Sequence, residues 1–296
     1  MNRKRMESRE GSRVFGYLMV VPATILLLVV SVIPLLDGVY LAFTNTNLNT
    51  GADAWVGIRN FVEVFQDSKF YQVFGFTIFY AFAVVLFSYI LGMLIALLLN
   101  QDIRFRGVFR AIILAPWVVP PVVATITWSW LLNDKVGLIN TVLQNIGLIQ
   151  EPIYFLSDLT LVKGTVVAFG VWKSYPFMMI TLLAGMQSID GSLYEAAKID
   201  GANKFKSFFH ITMPMMKNIS FVCTILMFIW TINNFENIYL MTQGGPLDST
   251  MILSILTYNS AFFRGQMGYA SAINMVMLVF LTILSMIYLK ALNQKA

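Results

Sequence analysis

The 296-residue chain has one cysteine, one histidine and few charges; Asp, Glu, Lys and Arg together make up 12% of it. Each shortage excludes something. A lone Cys223 permits no internal disulfide and no cysteine-based zinc site, and in an apolar run it reads as a small packed hydrophobe. A lone His210 leaves no histidine-rich metal site and no spare parts for a Ser-His-Asp triad. No G-x-x-x-x-G-K-[ST] string occurs: Gly201-Ala-Asn-Lys lacks the second glycine of a phosphate cradle, and Gly244-Gly245 before Pro246 reads as a turn. No clustered pair of catalytic groups is visible, so no catalytic and no metal-binding residues are assigned. Heptad arrays, low-complexity tracts and internal repeats are missing too.

What fills the chain instead is hydrocarbon. With 58% hydrophobic residues and a mean hydropathy of +0.73, it departs from soluble globular chains, in which about a quarter of residues are charged. Spans of roughly 20 residues fit at about 16–43, 72–99, 111–132, 161–187, 219–241 and 267–290. The expected fold is therefore all-α, a polytopic membrane protein with six transmembrane helices. The first run follows Arg3, Lys4, Arg5, Arg9 and Arg13; it is too long for a signal peptide and has no A-x-A-type cleavage site, so it reads as an uncleaved span in which Pro22 and Pro34 imply kinks or a late-starting helix. Residues 44–71 read as a polar loop ending in a short helix near 58–67, and 133–158 as a mixed loop with a short helix at 138–146.

Six spans place both termini on one side. Assigning 1–15, 101–110, 188–217 and 290–296 to that side gives it fourteen Lys and Arg, against Arg59, Lys69, Lys135 and Arg264 opposite, with Lys163 at the edge. The positive-inside rule makes the richer side cytoplasmic. The net charge of +5 thus follows topology rather than forming a nucleic-acid patch. The organisation reads as a cytoplasmic segment 1–15, a transmembrane domain 16–290 and a cytoplasmic tail 291–296.

Between the fourth and fifth spans lies the longest charged interval, Ser192-Leu-Tyr-Glu-Ala-Ala-Lys-Ile-Asp-Gly-Ala through Lys217. It reads as a helix, a glycine break at Gly201, a short amphipathic helix carrying Phe205, Phe208, Phe209 and Thr212, and a stop at Pro214. Too small to fold alone, it needs a partner. Glu195, Ala196, Ala197, Asp200, Gly201, Ala202, Phe208, Ile211 and Pro214 resemble the EAA loop of permease subunits of bacterial ABC importers. The sequence departs where a second proline commonly closes that motif, since Asn218 stands there. Leu114-Ala115-Pro116, Leu183 through Ile189 and Thr242 through Pro246 resemble the carbohydrate-uptake, maltose-permease-like branch. The resemblance implies a cytoplasmic coupling helix in a loop at 188–217, a second homologous permease, a docked dimer of ATP-binding subunits that uses ATP and Mg, and an extracytoplasmic sugar-binding protein. No cofactor is expected on this chain itself, and the bacterial cytoplasmic membrane is the expected location.

Polar groups inside spans are costly in hydrocarbon and mark a path or a partner. In the fifth span Trp230, Asn234 and Asn237 fall at i, i+4 and i+7, with Asn233 and Glu236 one position aside. An aromatic ring can cover the C–H faces of a sugar while amides bond its hydroxyls. Trp172, Lys173 and Tyr175 of the fourth span offer similar chemistry, and Asn274 of the sixth a weaker version. A structural Lys173–Glu236 pair, or hydrogen bonds to a partner permease, is the competing explanation. The third span holds Pro116, Pro120 and Pro121 with Trp117, Trp128 and Trp130; it reads either as a pore liner, with uncovered carbonyls facing a cavity, or as a kinked packing helix with interfacial tryptophans. An ion-coupled secondary transporter is the rival function, but it needs an intramembrane relay, and only Glu236 and the peripheral Asp37 are on hand.

Overall fold

Long runs of Leu, Ile, Val, Phe and Met can satisfy their backbone in lipid only as helices or closed barrels, and helices dominate the structure. This computed structural model describes residues 19–293. The basic segment 1–15 and the end of the tail lie outside the described residues. Four helices are long and apolar enough to cross a membrane, and two bent pairs bring the number to six if each pair is one span.

The contacts divide the chain into two units. One is the described part of Met1–Gln66 with Thr257–Leu278. It contains α1 (Met19–Ala42), α2 (Arg59–Gln66) and the first part of α13 (Met267–Asn293). Over most of its length α1 buries nothing within the chain, as suits a helix that faces lipid or another subunit, and Ala42 at its end is buried. A π turn at Leu28–Val32 precedes Pro34, whose missing N–H would leave the Val30 carbonyl unpaired in a regular helix. The loop between α1 and α2 is tied down by Asn60, whose amide donates to the carbonyls of Ala42 (2.8 Å) and Thr44 (2.7 Å).

The second unit is Asp67–Leu256 with Val279–Ala296. Its helices are α3 (Ser68–Leu99), α4 (Arg106–Val118), α5 (Pro121–Leu131), α6 (Leu138–Asn145), α7 (Leu161–Gln187) and α8 (Gly191–Ile199). After these come α9 (Lys204–Met215) and α10 (Lys217–Ile232), α11 (Glu236–Thr242) and the first part of α12 (Leu253–Tyr258). Its centre is the α3–α7 pair. A Cβ on Gly92 would fall 2.7 Å from that of Met178, and one on Gly170 would fall 2.8 Å from the Tyr80 hydroxyl, so small residues let the two helices close on each other. Around that seam Met93, Met178, Met179, Leu182, Met186, Met216 and Met227 form a flexible-chained core. Tyr89 of α3 also donates to Ser220 of α10 at 2.9 Å.

Two expectations need correction. The third span is not one kinked helix: α4 and α5 meet at 89°. The fifth is interrupted at both ends. Pro214 does not stop the helix before it, because α9 runs on to Met215 after a π turn at Phe208–Thr212. As before Pro34, the turn lies where a proline removes a donor. The change of direction, 65°, comes between α9 and α10. At the far end α10 stops at Ile232 and α11 begins at Glu236, so residues 219–241 are not a continuous span.

Candidate functional site

The site begins with two missing hydrogens. Pro120 and Pro121 have no N–H, so the carbonyls four residues back, Pro116 and Trp117, lose their helical donors. The chain turns, and Val119 bonds back only to the Ala115 carbonyl at 3.1 Å. The Lys173 ammonium of α7 reaches into this gap. It donates to the carbonyls of Pro116 (2.8 Å), Trp117 (3.4 Å) and Val119. A lysine ammonium has three donors, and here three acceptors occupy it. A cation at the end of α4 also complements the negative end of the helix dipole. Lys173 is only 9% exposed.

Beside this break lies a cavity of about 600 Å³. Trp117, Phe177 and Trp230 form its aromatic wall, with ring centroids 6.2 Å apart for Trp117–Phe177 and 5.0 Å for Phe177–Trp230. Trp230 is 54% exposed, so a face is open to a visitor. Asn233, Asn234, Glu236 and Asn237 supply the polar side, with Ser174 and Thr231 nearby. Asn234 Oδ1 accepts from the Asn237 backbone N–H at 3.3 Å, and Asn233 Nδ2 donates to the Ile229 carbonyl at 2.9 Å. Asn237 is 4% exposed, and its side-chain oxygen is shielded with no hydrogen-bond partner. A shielded, unpaired amide oxygen is costly unless a donor reaches it.

All five fifth-span residues singled out in the sequence line the cavity, although not as a helical stripe: Trp230 lies on α10, Asn233 and Asn234 on the connection, Glu236 and Asn237 on α11. Lys173 lines it as well, through its bonds to the broken helix, and among the described residues no ion pair joins it to Glu236. Trp172 and Tyr175 are not part of the lining. Trp172 packs in tilted contact with Trp128 (5.3 Å) and Phe169 (5.9 Å), and the Tyr175 hydroxyl points to the Ile113 carbonyl at 3.4 Å. Asn274 is exposed on α13. Sequence reasoning missed Phe177 and the full role of Trp117. The available signal was that Phe177 stands four residues after Lys173, on the same face of α7.

The second candidate region is the loop from Ser188 to Lys217. Asp190 caps α8, accepting from Ser192 N at 2.9 Å, and this backbone bond holds its carboxyl below the usual aspartate range. At the other end Gly201 takes φ +80°, the left-handed conformation that only glycine adopts freely. Gly201 N bonds Lys198 O at 3.2 Å and Ala202 N bonds Ala197 O at 2.8 Å, which is a Schellman ending. The Ala197, Gly201 and Ala202 of the motif are therefore the parts of one helix stop. Asn203 then caps α9 through Lys206 N at 2.8 Å, and Tyr194 bonds Thr212 at 2.9 Å, tying α8 to α9. The surface left outward is apolar for a loop: Ile199 is 86% exposed and Phe205 71%. Glu195 and Asp200 are exposed beside it; Ala196 and Pro214 are exposed as well, while Phe208 is half-buried. Where α7 enters the loop, the Gln187 amide oxygen, oriented as its neighbours require, accepts from Arg106 (2.7 Å) and Arg110 (2.9 Å) of α4.

Comparison with known proteins bears on both regions. Residues 88–296 match the family described as binding-protein-dependent transport system inner membrane component. The chain is 35% identical to the trehalose/maltose transport system permease protein of Thermococcus litoralis, over 97% of this chain and 95% of that one. It is 31% identical to the sulfoquinovosyl glycerol transport system permease protein of Agrobacterium fabrum, over 96% and 92%. Its fold is similar to a chain of the bacterial alginate ABC transporter solved with its alginate pentasaccharide-bound periplasmic protein, with a TM-score of 0.84, 23% identity and 96% of each chain covered. With its long apolar helices and this match over most of its length, the chain is a multi-pass inner-membrane transport protein, and it belongs to the family of binding-protein-dependent transport system inner membrane components.

Proposed function

We propose that the chain forms half of a sugar path through the cytoplasmic membrane and is moved by a separate ATPase gripping the 188–217 loop. The observation that carries the reading is the cavity beside the α4–α5 break, which exposed aromatic faces and a row of amides line together. That combination suits a polyhydroxylated ring, with C–H faces against Trp230 and Trp117 and hydroxyls on Asn233, Asn234 and Asn237. The relatives named for trehalose, maltose and sulfoquinovosyl glycerol support a sugar as cargo. In this reading a second, homologous permease supplies the remaining wall, and an extracytoplasmic binding protein delivers the sugar, as the alginate complex suggests.

Both termini and the 188–217 loop then lie in the cytoplasm, with fourteen of the twenty Lys and Arg on their side. The loop suits docking on a partner. Helix α8 is capped at both ends and none of its residues is buried, so it is a short rod, tied to α9 through Tyr194, with most of its surface left open. Ile199 and Phe205 offer apolar contact, and Glu195 and Asp200 offer carboxylates for Arg or Lys. No cofactor is assigned to this chain; ATP and Mg belong to the partner.

The test uses the complete importer reconstituted in proteoliposomes. Glu195→Lys and Gly201→Pro are expected to leave the chain inserted and assembled while uptake falls at least tenfold relative to ATP hydrolysis. Normal uptake by both variants overturns the coupling role of the loop.

A further inference from the structure

Family membership leaves the charge of the cargo open, since the relatives include one named for trehalose and maltose and one named for sulfoquinovosyl glycerol, a sulfonate. The cavity itself carries information on this point. Among the described residues its lining has two charged side chains, Lys173 and Glu236. They differ in what they have left to offer. The three ammonium hydrogens of Lys173 face the carbonyls of Pro116, Trp117 and Val119, and the side chain is nine-tenths buried. To reach an anion it would have to release the Pro116 and Trp117 carbonyls, which two prolines deprived of their helical donors. Glu236 is exposed on the cavity wall.

The remaining polar groups are neutral: the amides of Asn233, Asn234 and Asn237 and the hydroxyls of Ser174 and Thr231. The Asn237 oxygen is shielded and has no donor, so a hydroxyl or an N–H would satisfy it only if its surroundings opened. A carboxylate, sulfonate or phosphate brings only acceptors. Like charges in a partly enclosed site repel, and a specificity element of this kind works by penalising the wrong ligand.

From the occupied Lys173 and the open Glu236 we infer that the cavity passes uncharged sugars and rejects anionic ones, Glu236 being the discriminating residue. This rests on the sugar-path reading above. Lys173 is a positioning residue that fixes the break, not an anion contact.

The experiment measures equilibrium binding to the intact importer in lipid nanodiscs, without the delivery protein, whose own preference would mask that of the path. The probes are a panel of neutral oligosaccharides and, for each, its counterpart with the primary hydroxyls oxidised to carboxylates. Charges contributed by a second permease enter the measurement because the whole complex is used. The uronate is expected to bind roughly tenfold more weakly than its neutral parent, a difference of about 1.4 kcal/mol. Glu236→Gln should narrow that ratio at least threefold. Equal or tighter uronate binding by the unaltered protein overturns the inference alone, as does a ratio that Glu236→Gln does not move. If no sugar of either kind binds, the sugar path falls and the charge rule with it.

Discussion

The Lys173 ammonium lies 2.8 Å from the Pro116 carbonyl, fifty-seven positions back along the chain, and it stands in for a donor that Pro120 cannot supply. A charged residue that looks in the sequence like a substrate contact is thus the repair of a backbone defect. In hydrocarbon, each backbone group left without a partner costs several kcal/mol, so the repair and the defect should behave as a pair.

That pairing predicts a specific non-additivity. Lys173→Met should destabilise the assembled protein by on the order of 3 kcal/mol, since bonds from a charged donor contribute about 1.5–3 kcal/mol each and relaxation returns part of the loss. In a Pro120→Ala, Pro121→Ala background, where α4 can recover its own N–H donors, the same change should cost less than half as much. Thermal unfolding of the four proteins in matched lipid checks this. Equal costs in both backgrounds would show that the lysine serves something other than the break.

The amides at the end of α10 should matter through cargo and not through folding. Asn234→Ala and Asn237→Ala are each expected to lower sugar uptake severalfold while membrane insertion and assembly stay normal. Phe177→Ala, which removes the ring between Trp117 and Trp230, should do the same. Transport rate and affinity both unchanged in the two asparagine variants would remove the cavity from the path.

A third expectation concerns acid. The Ser192 N–H holds the Asp190 carboxyl below its ordinary range. Its folded pKa is depressed, so the stability it gives α8 is present above the unfolded value and is lost as pH falls through the folded one. Capping should therefore be flat across neutral pH. Hydrogen exchange at Ser192 and Leu193 should be slow there and accelerate in Asp190→Ala, with Asp190→Ser partly restoring protection.

Much of the architecture was legible because its signals are local. The fourth span, read at 161–187, coincides with α7, and the short helix read near 138–146 is α6. The Gly201 break was legible for the same reason: a positive φ demands glycine whatever surrounds it. What escaped depends on distant partners or on competition. Three prolines announce loose carbonyls in the third span, but nothing nearby says that Lys173 will gather them, so an 89° turn reads as a kink. The fifth span reads as continuous because Trp230, Asn234 and Asn237 keep helical spacing. Asparagine side chains, however, can substitute for backbone partners: Asn233 takes the Ile229 carbonyl and Asn234 the Asn237 N–H, and the helix ends between them. Trp172 and Tyr175 have the right chemistry, but they lie on the far side of α7 from the face that Lys173 and Phe177 share.

Helix α4 is fastened to α7 twice, by Arg106 and Arg110 on Gln187 near one end and by the Lys173 bonds near the other. A rod pinned to its neighbour at two points can neither slide along it nor roll against it. The second pin takes in the Val119 carbonyl as well, so the turn towards α5 is held too. The two prolines that break the helix therefore hand its last turn to a neighbour, which makes α7 the clamp for both ends of α4.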